Sequence, residues 1–322
     1  MTRIPSSIDH HTQEILPYID SGRYNVIRDR IAGYTDFPDD PPGTAIISEL
    51  LQNADDAEAT LVRFYFTEEH LIAYNNQYFK PRDFDNIRET FAASKREEEG
   101  KIGAWGTGFL SVYRIADSPR LCSSKWQWTF EPDGIARVKT DVDRETYFFL
   151  RWRRPLQTDI GCKIGAQVWD ENAINQLKRG MGRPIYRMCV FLRHVHTIEV
   201  YDGEQTCIFH VARQLVDRDP VLISDCPLLC TLSSHVDEPG AIPTTHGFTR
   251  ERWHISYKED DSEPKTDTWV YYRAHIPPEH RTEGVKIKDT EVTLAFPHAP
   301  ARWTTLAEPA RLYNFLPTHT DF

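Results

Sequence analysis

Glu49, Asn53 and Asp56 stand at i, i+4 and i+7 of Ser48-Glu49-Leu50-Leu51-Gln52-Asn53-Ala54-Asp55-Asp56-Ala57. On a helix that spacing puts all three on one face. The amide oxygen of Asn53 suits Mg²⁺, a hard cation that prefers oxygen and keeps several waters. The carboxylate of Glu49, one turn away, suits the orientation and deprotonation of a water aimed at a phosphoryl group. Taken alone, the same three residues also read as a solvated helix face beside a core face.

Three further segments carry polar chemistry. Lys101-Ile102-Gly103-Ala104-Trp105-Gly106-Thr107-Gly108-Phe109 holds three glycines within six residues, which lets a backbone approach a ligand closely. The helix expected from Phe109 to Ile115 would then turn free N–H groups toward an anion. No Gly-Lys-Ser/Thr follows, so this is not a P-loop, and no clear strand precedes it as a dinucleotide fingerprint requires. Leu71-Ile72-Ala73-Tyr74 reads as a strand that ends in two amides, Asn75 and Asn76, able to meet a base or simply to make a turn. Thr146 opens the strand-like Tyr147-Phe148-Phe149-Leu150 and offers a hydroxyl on an inner strand.

The elements that must position these groups follow from hydrophobic periodicity. Ile46, Ile47, Leu50, Leu51 and Ala54 give an apolar stripe to a helix over 44–57. Residues 1–43 read as a helical lead-in, from the spacing of Ile15, Tyr18, Ile19, Ile27 and Ile31. Strands are expected at 61–66, 71–74, 126–130, 135–140, 146–152 and 190–201, and helices at 81–93 and 173–188. Beyond residue 205 short strands are punctuated by prolines, at 208–211, 253–257, 268–274, 292–296 and 312–316. Arg151, Arg153 and Arg154 read as a solvated strand end.

The 322 residues carry a net charge of −10 and a pI of about 5.7, which disfavours general electrostatic binding of nucleic acid. No run of about 18 apolar residues marks a membrane span, and no secretory leader is evident, so a cytoplasmic protein with reduced thiols is the expectation. Cys226, Cys230 and His235 have a spacing compatible with zinc but lack an obvious fourth ligand. His10 and His11 have no evident phosphoacceptor helix pair around them.

The serial order of these segments resembles the GHKL (Bergerat) ATP-binding fold, and Glu49 to Ala57 resembles the corresponding box of its sacsin branch. Tyr74-Asn75-Asn76 is similar to that branch's adenine motif. Ser94-Lys95-Arg96 with Lys101 to Tyr113 resembles its lid and phosphate loop, and Thr146 to Pro155 its closing strand. The likeness implies an α+β fold, a two-layer α/β sandwich over 44–175 followed by a β-rich second domain over 176–322. It also implies an ATP site with Mg²⁺. Glu49 would be the general base, Asn53 the Mg²⁺ ligand, and Asp56 and Asn76 would line the nucleotide pocket. Ser94, Lys95, Gly103, Gly106, Thr107, Gly108 and Phe109 would enclose the phosphates, and Thr146 would sit near adenine. Chaperone and gyrase relatives carry an aspartate where Asn76 stands, so base preference is expected to be loose. The final residues, Leu312 to Pro317, resemble a stretch that leads into further domain in relatives. The resemblance further implies a protein client, or further domains of a longer chain, as the partner, with a chaperone-like or effector-switching output that includes host defence. A non-hydrolysing nucleotide-binding scaffold is the alternative.

Overall fold

The computed structural model describes residues 13–17, 36, 40–81, 83–84, 87, 108–131, 134–154, 166–221, 248–260, 262–276 and 290–298. The apolar stripe of the first helix settles its placement. Helix α1, Thr44–Asp56, buries Ile46, Ile47, Leu50, Leu51 and Ala54. It packs on a 3₁₀ helix, Gly108–Arg114, that follows the glycine segment. Gly43 opens α1 at a φ of +93°, a backbone state that suits glycine, and a Cβ there would stand 2.5 Å from the Trp169 ring. Having no side chain, Gly43 cannot cap the helix. Asp36 does so from upstream, its carboxylate accepting from the Gly43 and Ala45 N–H groups at 3.0 and 2.7 Å.

The strands divide between two compact units. The first comprises described residues up to Val211 together with Lys258–Glu263. It contains β1 (Gln13–Pro17), β2 (Leu61–Phe66), β3 (His70–Asn75), β4 (Arg120–Phe130), β5 (Gly134–Arg151), β6 (Thr197–Asp202) and the start of β7 (Thr206–Val221). Their order is β1-β5-β3-β2-β6-β7, with β4 also on β5. The β2–β6 pair is parallel; the β1–β5, β2–β3, β3–β5 and β4–β5 pairs are antiparallel. Helices α2 (Glu171–Gly180) and α3 (Gly182–Cys189) complete this unit.

Period-2 alternation separates the two faces of this sheet. Val62, Phe64, Leu71, Ala73, Phe148 and Leu150 are buried on one face, with Asn75 and Thr146 in the same alternation. On the other, Tyr65, Ile72, Tyr74, Cys122, Tyr147 and Phe149 form a separate buried cluster. The chain is therefore α+β, as expected. The second unit comprises Ala212–Tyr257 and described residues from Pro264 onward. It holds the end of β7 with β8 (Phe248–Glu259), β9 (Lys265–Ile276) and β10 (Thr290–Pro297); β8–β9 and β9–β10 are antiparallel.

Several expectations are corrected. Residues Gln13–Pro17 are not helical; they form β1, paired from Gln13↔Val138 to Pro17↔Gly134. The division expected at residue 175 falls instead after Val211, because β6 pairs in parallel with β2. Residues 190–196 are turn and loop, with strand only from Thr197. The helix expected over 173–188 is interrupted at Met181, since Pro184 has no N–H for the Gly180 carbonyl. The expected zinc group at Cys226, Cys230 and His235, the histidines at 10 and 11, and the strand at 312–316 lie outside the described residues. None of the described helices is long and apolar enough to cross a membrane.

Candidate nucleotide site

A cleft with about 520 Å³ of empty space, part of it open to solvent, lies between α1 and the sheet of the first unit. Asn53 and Ala57 of α1 form one wall. Asn75 and Thr146 form the floor, held side by side because they are register partners across β3 and β5. Phe79, Ile87, Phe109 and Phe148 supply apolar walls, and Tyr78, 47% exposed, stands at the cleft with Gln77 and Asp83. A flat, apolar body with a few polar edge groups suits this lining.

The floor is tied by an ordered set of hydrogen bonds. The Phe79 N–H donates to Ser123 Oγ at 2.8 Å. Thr146 Oγ1 lies 2.9 Å from Ser123 Oγ and donates at 2.7 Å to the Gln77 carbonyl, which also accepts from the Thr146 N–H. The Gln77 N–H donates to Asn75 Oδ1 at 3.0 Å. These bonds fix the segment just after β3, where an Asn-led turn is a familiar local solution.

On α1 the polar groups are less engaged. Among the described residues, the Asn53 side chain and the Glu49 carboxyl have no hydrogen-bond partner. Burial, with a smaller contribution from the nearby Asp56 carboxylate, pushes the Glu49 carboxyl up to about 7. Glu49 lies one turn before Asn53 on the same face and outside the described lining of the cleft. Burial likewise raises Asp56, against which Arg193 acts with a contact at 3.2 Å.

The structure brings together Asn53, Phe109 and Thr146 at the cleft, with Gly108 opening the 3₁₀ helix beside it. It does not bring Asn76 there. Asn76 Oδ1 accepts from the Thr60 and Leu61 N–H groups at 3.0 Å each, and its amide nitrogen donates to Thr60 Oγ1. Asn76 follows the end of β3, whereas Asn75 continues the Leu71, Ala73 alternation and so faces the cleft. That alternation is visible in the sequence. Asp56 is also corrected: among the described residues it pairs with Arg193 and is not part of the lining. Ser94, Lys95, Gly103, Gly106 and Thr107 lie outside the described residues.

Buried Arg153, expected in a solvated strand end, instead clamps the end of the 3₁₀ helix. It donates to the carbonyls of Tyr113, Arg114 and Gln167, and pairs with Asp117 at 2.6 Å. Arg154 donates to the Trp169 and Glu68 carbonyls, and Arg151 is exposed as expected.

Residues 31–147, which supply α1, β2, β3, the 3₁₀ helix, β4 and most of β5, match the family model described as Sacsin domain. Over these residues the chain is similar to the Sacsin domain. Human Sacsin is 37% identical over 101 residues, covering 26% of this chain and 2% of that protein. Protein NO VEIN of Arabidopsis thaliana is 33% identical over 92 residues, covering 26% of this chain and 3% of that protein. The chain thus spans only a few hundredths of the length of these relatives. Among solved structures, a point mutant of the Aquifex aeolicus MutL ATPase domain aligns with a TM-score of 0.35 at 12% identity, over 73% of this chain and 76% of that one. The cleft residues Asn53, Asn75, Phe109 and Thr146 all fall inside the sacsin-like segment.

Proposed function

We propose that the sacsin-like domain is a GHKL-type module that binds ATP with Mg²⁺ in this cleft and hydrolyses it slowly. One observation carries the reading: the Asn53 amide and the Glu49 carboxyl, one turn apart on α1, lack hydrogen-bond partners among the described residues, beside a cleft floored by Asn75 and Thr146. Uncommitted polar groups around an apolar-walled space point to a ligand that completes them.

The donor set fits the nucleotide and its cation. Asn53 would offer its amide oxygen to Mg²⁺, and the cation would supply charge neutralisation on the phosphates. Gly108, at the start of the 3₁₀ helix, would lie on the phosphate side. Phe109 and Phe148 would flank the base above Asn75 and Thr146. Glu49, near 7 because it is buried, would take a proton from the attacking water, the value at which a base works best near neutral pH. Positioning and charge stabilisation, rather than covalent chemistry, are what phosphoryl transfer asks of a protein.

We place the partner in further domains of a longer chain or in a protein client, with a chaperone-like or effector-switching output in the cytoplasm. The small share of the relatives' length covered here supports a module that acts within something larger. The test is titration and turnover with Mg-ATP. Wild type should bind and hydrolyse ATP, and Glu49→Ala should retain binding while losing hydrolysis. A wild type that binds Mg-ATP but turns over nothing above background would instead be a nucleotide-binding scaffold.

A further inference from the structure

We infer that Asp55 is a positioning residue for the nucleotide-bound cation: by pinning the last turn of α1 to the backbone of residues 193–195, it holds the Asn53 amide where Mg²⁺ is to be bound. The inference rests on the nucleotide reading above and adds to it a residue outside the cleft.

Asp55 is 5% exposed and lies two residues beyond Asn53, which on a helix is a rotation of about 200°. It therefore faces away from the cleft and is absent from its lining. Asp55 Oδ1 accepts from the N–H groups of Arg193, His194 and Val195 at 2.9, 2.7 and 2.9 Å, and Oδ2 shares the Arg193 N–H at 3.0 Å. Three consecutive backbone donors on one carboxylate make a charge-assisted anchor. The anchor point is itself fixed. The N–H groups of His196 and Thr197 donate to the Thr60 carbonyl at 2.9 and 3.1 Å, and β6 continues from there in parallel register with β2. Asp56 adds little to this hold, because the Arg193 side chain it meets is 55% exposed.

The end of α1 shows why an anchor is needed. Its last turn carries Asp55 and Asp56 and no basic residue, against the direction the helix dipole favours. Glu58, just past the end, has a φ of +62°, a state that favours glycine. Local preference thus works against ending the helix here, and the three donors to Asp55 supply the compensation. Asn53 sits in that same turn, its carbonyl accepting from the Ala57 N–H at 3.1 Å. Its side-chain amide makes no hydrogen bond among the described residues, so its place is inherited from the helix backbone. A ligand for Mg²⁺ must be held to within about 0.5 Å, and Asp55 is the buried polar tie at this end of the helix.

Calorimetric titration of the full chain with ADP, with and without Mg²⁺, tests this. The readout is the factor by which Mg²⁺ tightens ADP binding, which a general loss of stability does not move. Asp55→Ala should lower that factor by about tenfold and leave the Mg²⁺-free affinity within about threefold of wild type. Asp55→Asn keeps Oδ1 for the three N–H groups and should recover most of the loss. Linkage works in both directions. In wild type, Mg²⁺ added to the ADP complex should therefore slow hydrogen exchange at the Arg193, His194 and Val195 amides by a comparable factor. An Asp55→Ala factor equal to that of wild type, or a loss shared equally by the two affinities, overturns the inference and leaves the nucleotide site standing. If Asp55→Ala does not fold, exchange in wild type decides: amides at 193–195 unchanged by Mg²⁺ overturn the inference as well. A wild type that binds ADP equally well with and without Mg²⁺ takes the cation out of the site, and the inference with it. If ADP does not bind at all, the nucleotide reading itself falls.

Discussion

Glu49 is the residue on which pH should act most visibly. Its carboxyl titrates at about 7 in the folded chain against 4.5 unperturbed, because burial disfavours the charged form. In the base role proposed for it Glu49 must be ionised, so the proposed ATP turnover should rise with pH through about 7 along a one-proton limb and level off above it. A turnover profile flat from pH 6 to 8 would remove Glu49 from that role. The same shift has a stability consequence of opposite sign to that of a salt-bridged acid. Between 4.5 and about 7 the native state holds a proton that the unfolded chain has released, so stability falls as pH rises across that window. Above it, the native chain carries a half-buried charge with no hydrogen-bond partner among the described residues. Glu49→Gln should therefore be more stable than wild type at pH 8, by about 1–3 kcal/mol, and lose that advantage near pH 4. Urea unfolding at the two pH values measures the difference. An equal gain at both would assign the effect to packing rather than to charge.

At the scale of elements, the two walls of the site are joined at their outer ends. Asp36 caps the start of α1 and accepts from Arg114 Nη2 at 3.0 Å. The Arg114 carbonyl accepts from Trp169 Nε1 at 2.8 Å and from Arg153, and the Trp169 ring fills the space a side chain on Gly43 would need. The helix carrying Glu49 and Asn53 is thus tied to the helix that follows the glycine segment. Arg153→Met should lower unfolding stability by about 3–5 kcal/mol, since it removes the buried donor shared by Asp117 and the carbonyls of Tyr113, Arg114 and Gln167. A shift under about 1 kcal/mol in denaturant titration would show that the clamp is dispensable. None of this brace is legible in the sequence, because each contact joins residues far apart along the chain. What is legible is what local periodicity encodes. The stripe Ile46, Ile47, Leu50, Leu51, Ala54 predicts a helix over 44–57, and Thr44–Asp56 is helical. The strands at 61–66 and 71–74 are likewise present within β2 and β3, and the one expected at 146–152 lies in β5 as far as Arg151. Periodicity misleads at Gln13–Pro17 because five residues hold too little of it; pairing with β5 decides their state. The expected strands 135–140 and 146–152 are one strand, Gly134–Arg151, whose exposed middle, Asp141 to Asp143, looks like a turn. Arg153 looks solvated in sequence because charge composition does not report burial. At the floor, Asn75 and Asn76 are both in view, and only strict alternation along β3 tells them apart.

At the scale of the molecule, the chain has two units with different sources of stability. All the described cleft residues belong to the first. The second is organised around Glu251, 2% exposed, which accepts from Arg218 at 2.8 Å, Arg273 at 3.0 Å and Trp253 Nε1 at 2.9 Å. The Arg213 guanidinium lies 4.2 Å from the centre of the Trp253 ring. Burial works to raise the Glu251 carboxyl, but the Trp253 N–H and the two arginines outweigh it and hold the group below its ordinary range. The depressed carboxyl stabilises this unit above the usual carboxylate range, and that contribution is lost as pH falls through its folded value. Ligand binding and removal of this buried charge should therefore register on different segments. ADP with Mg²⁺ at about 100 times its dissociation constant stabilises the bound form by about 2.7 kcal/mol, and protection from hydrogen exchange should increase in α1, β3 and β5. Glu251→Gln removes the charge that holds Arg218 and Arg273, and should speed exchange in β8 and β9. Peptide-resolved exchange with and without nucleotide separates the two effects. Protection on ligand addition concentrated in β8 and β9, with α1 unchanged, would mean that the nucleotide is held elsewhere than in the cleft between Asn53 and Thr146.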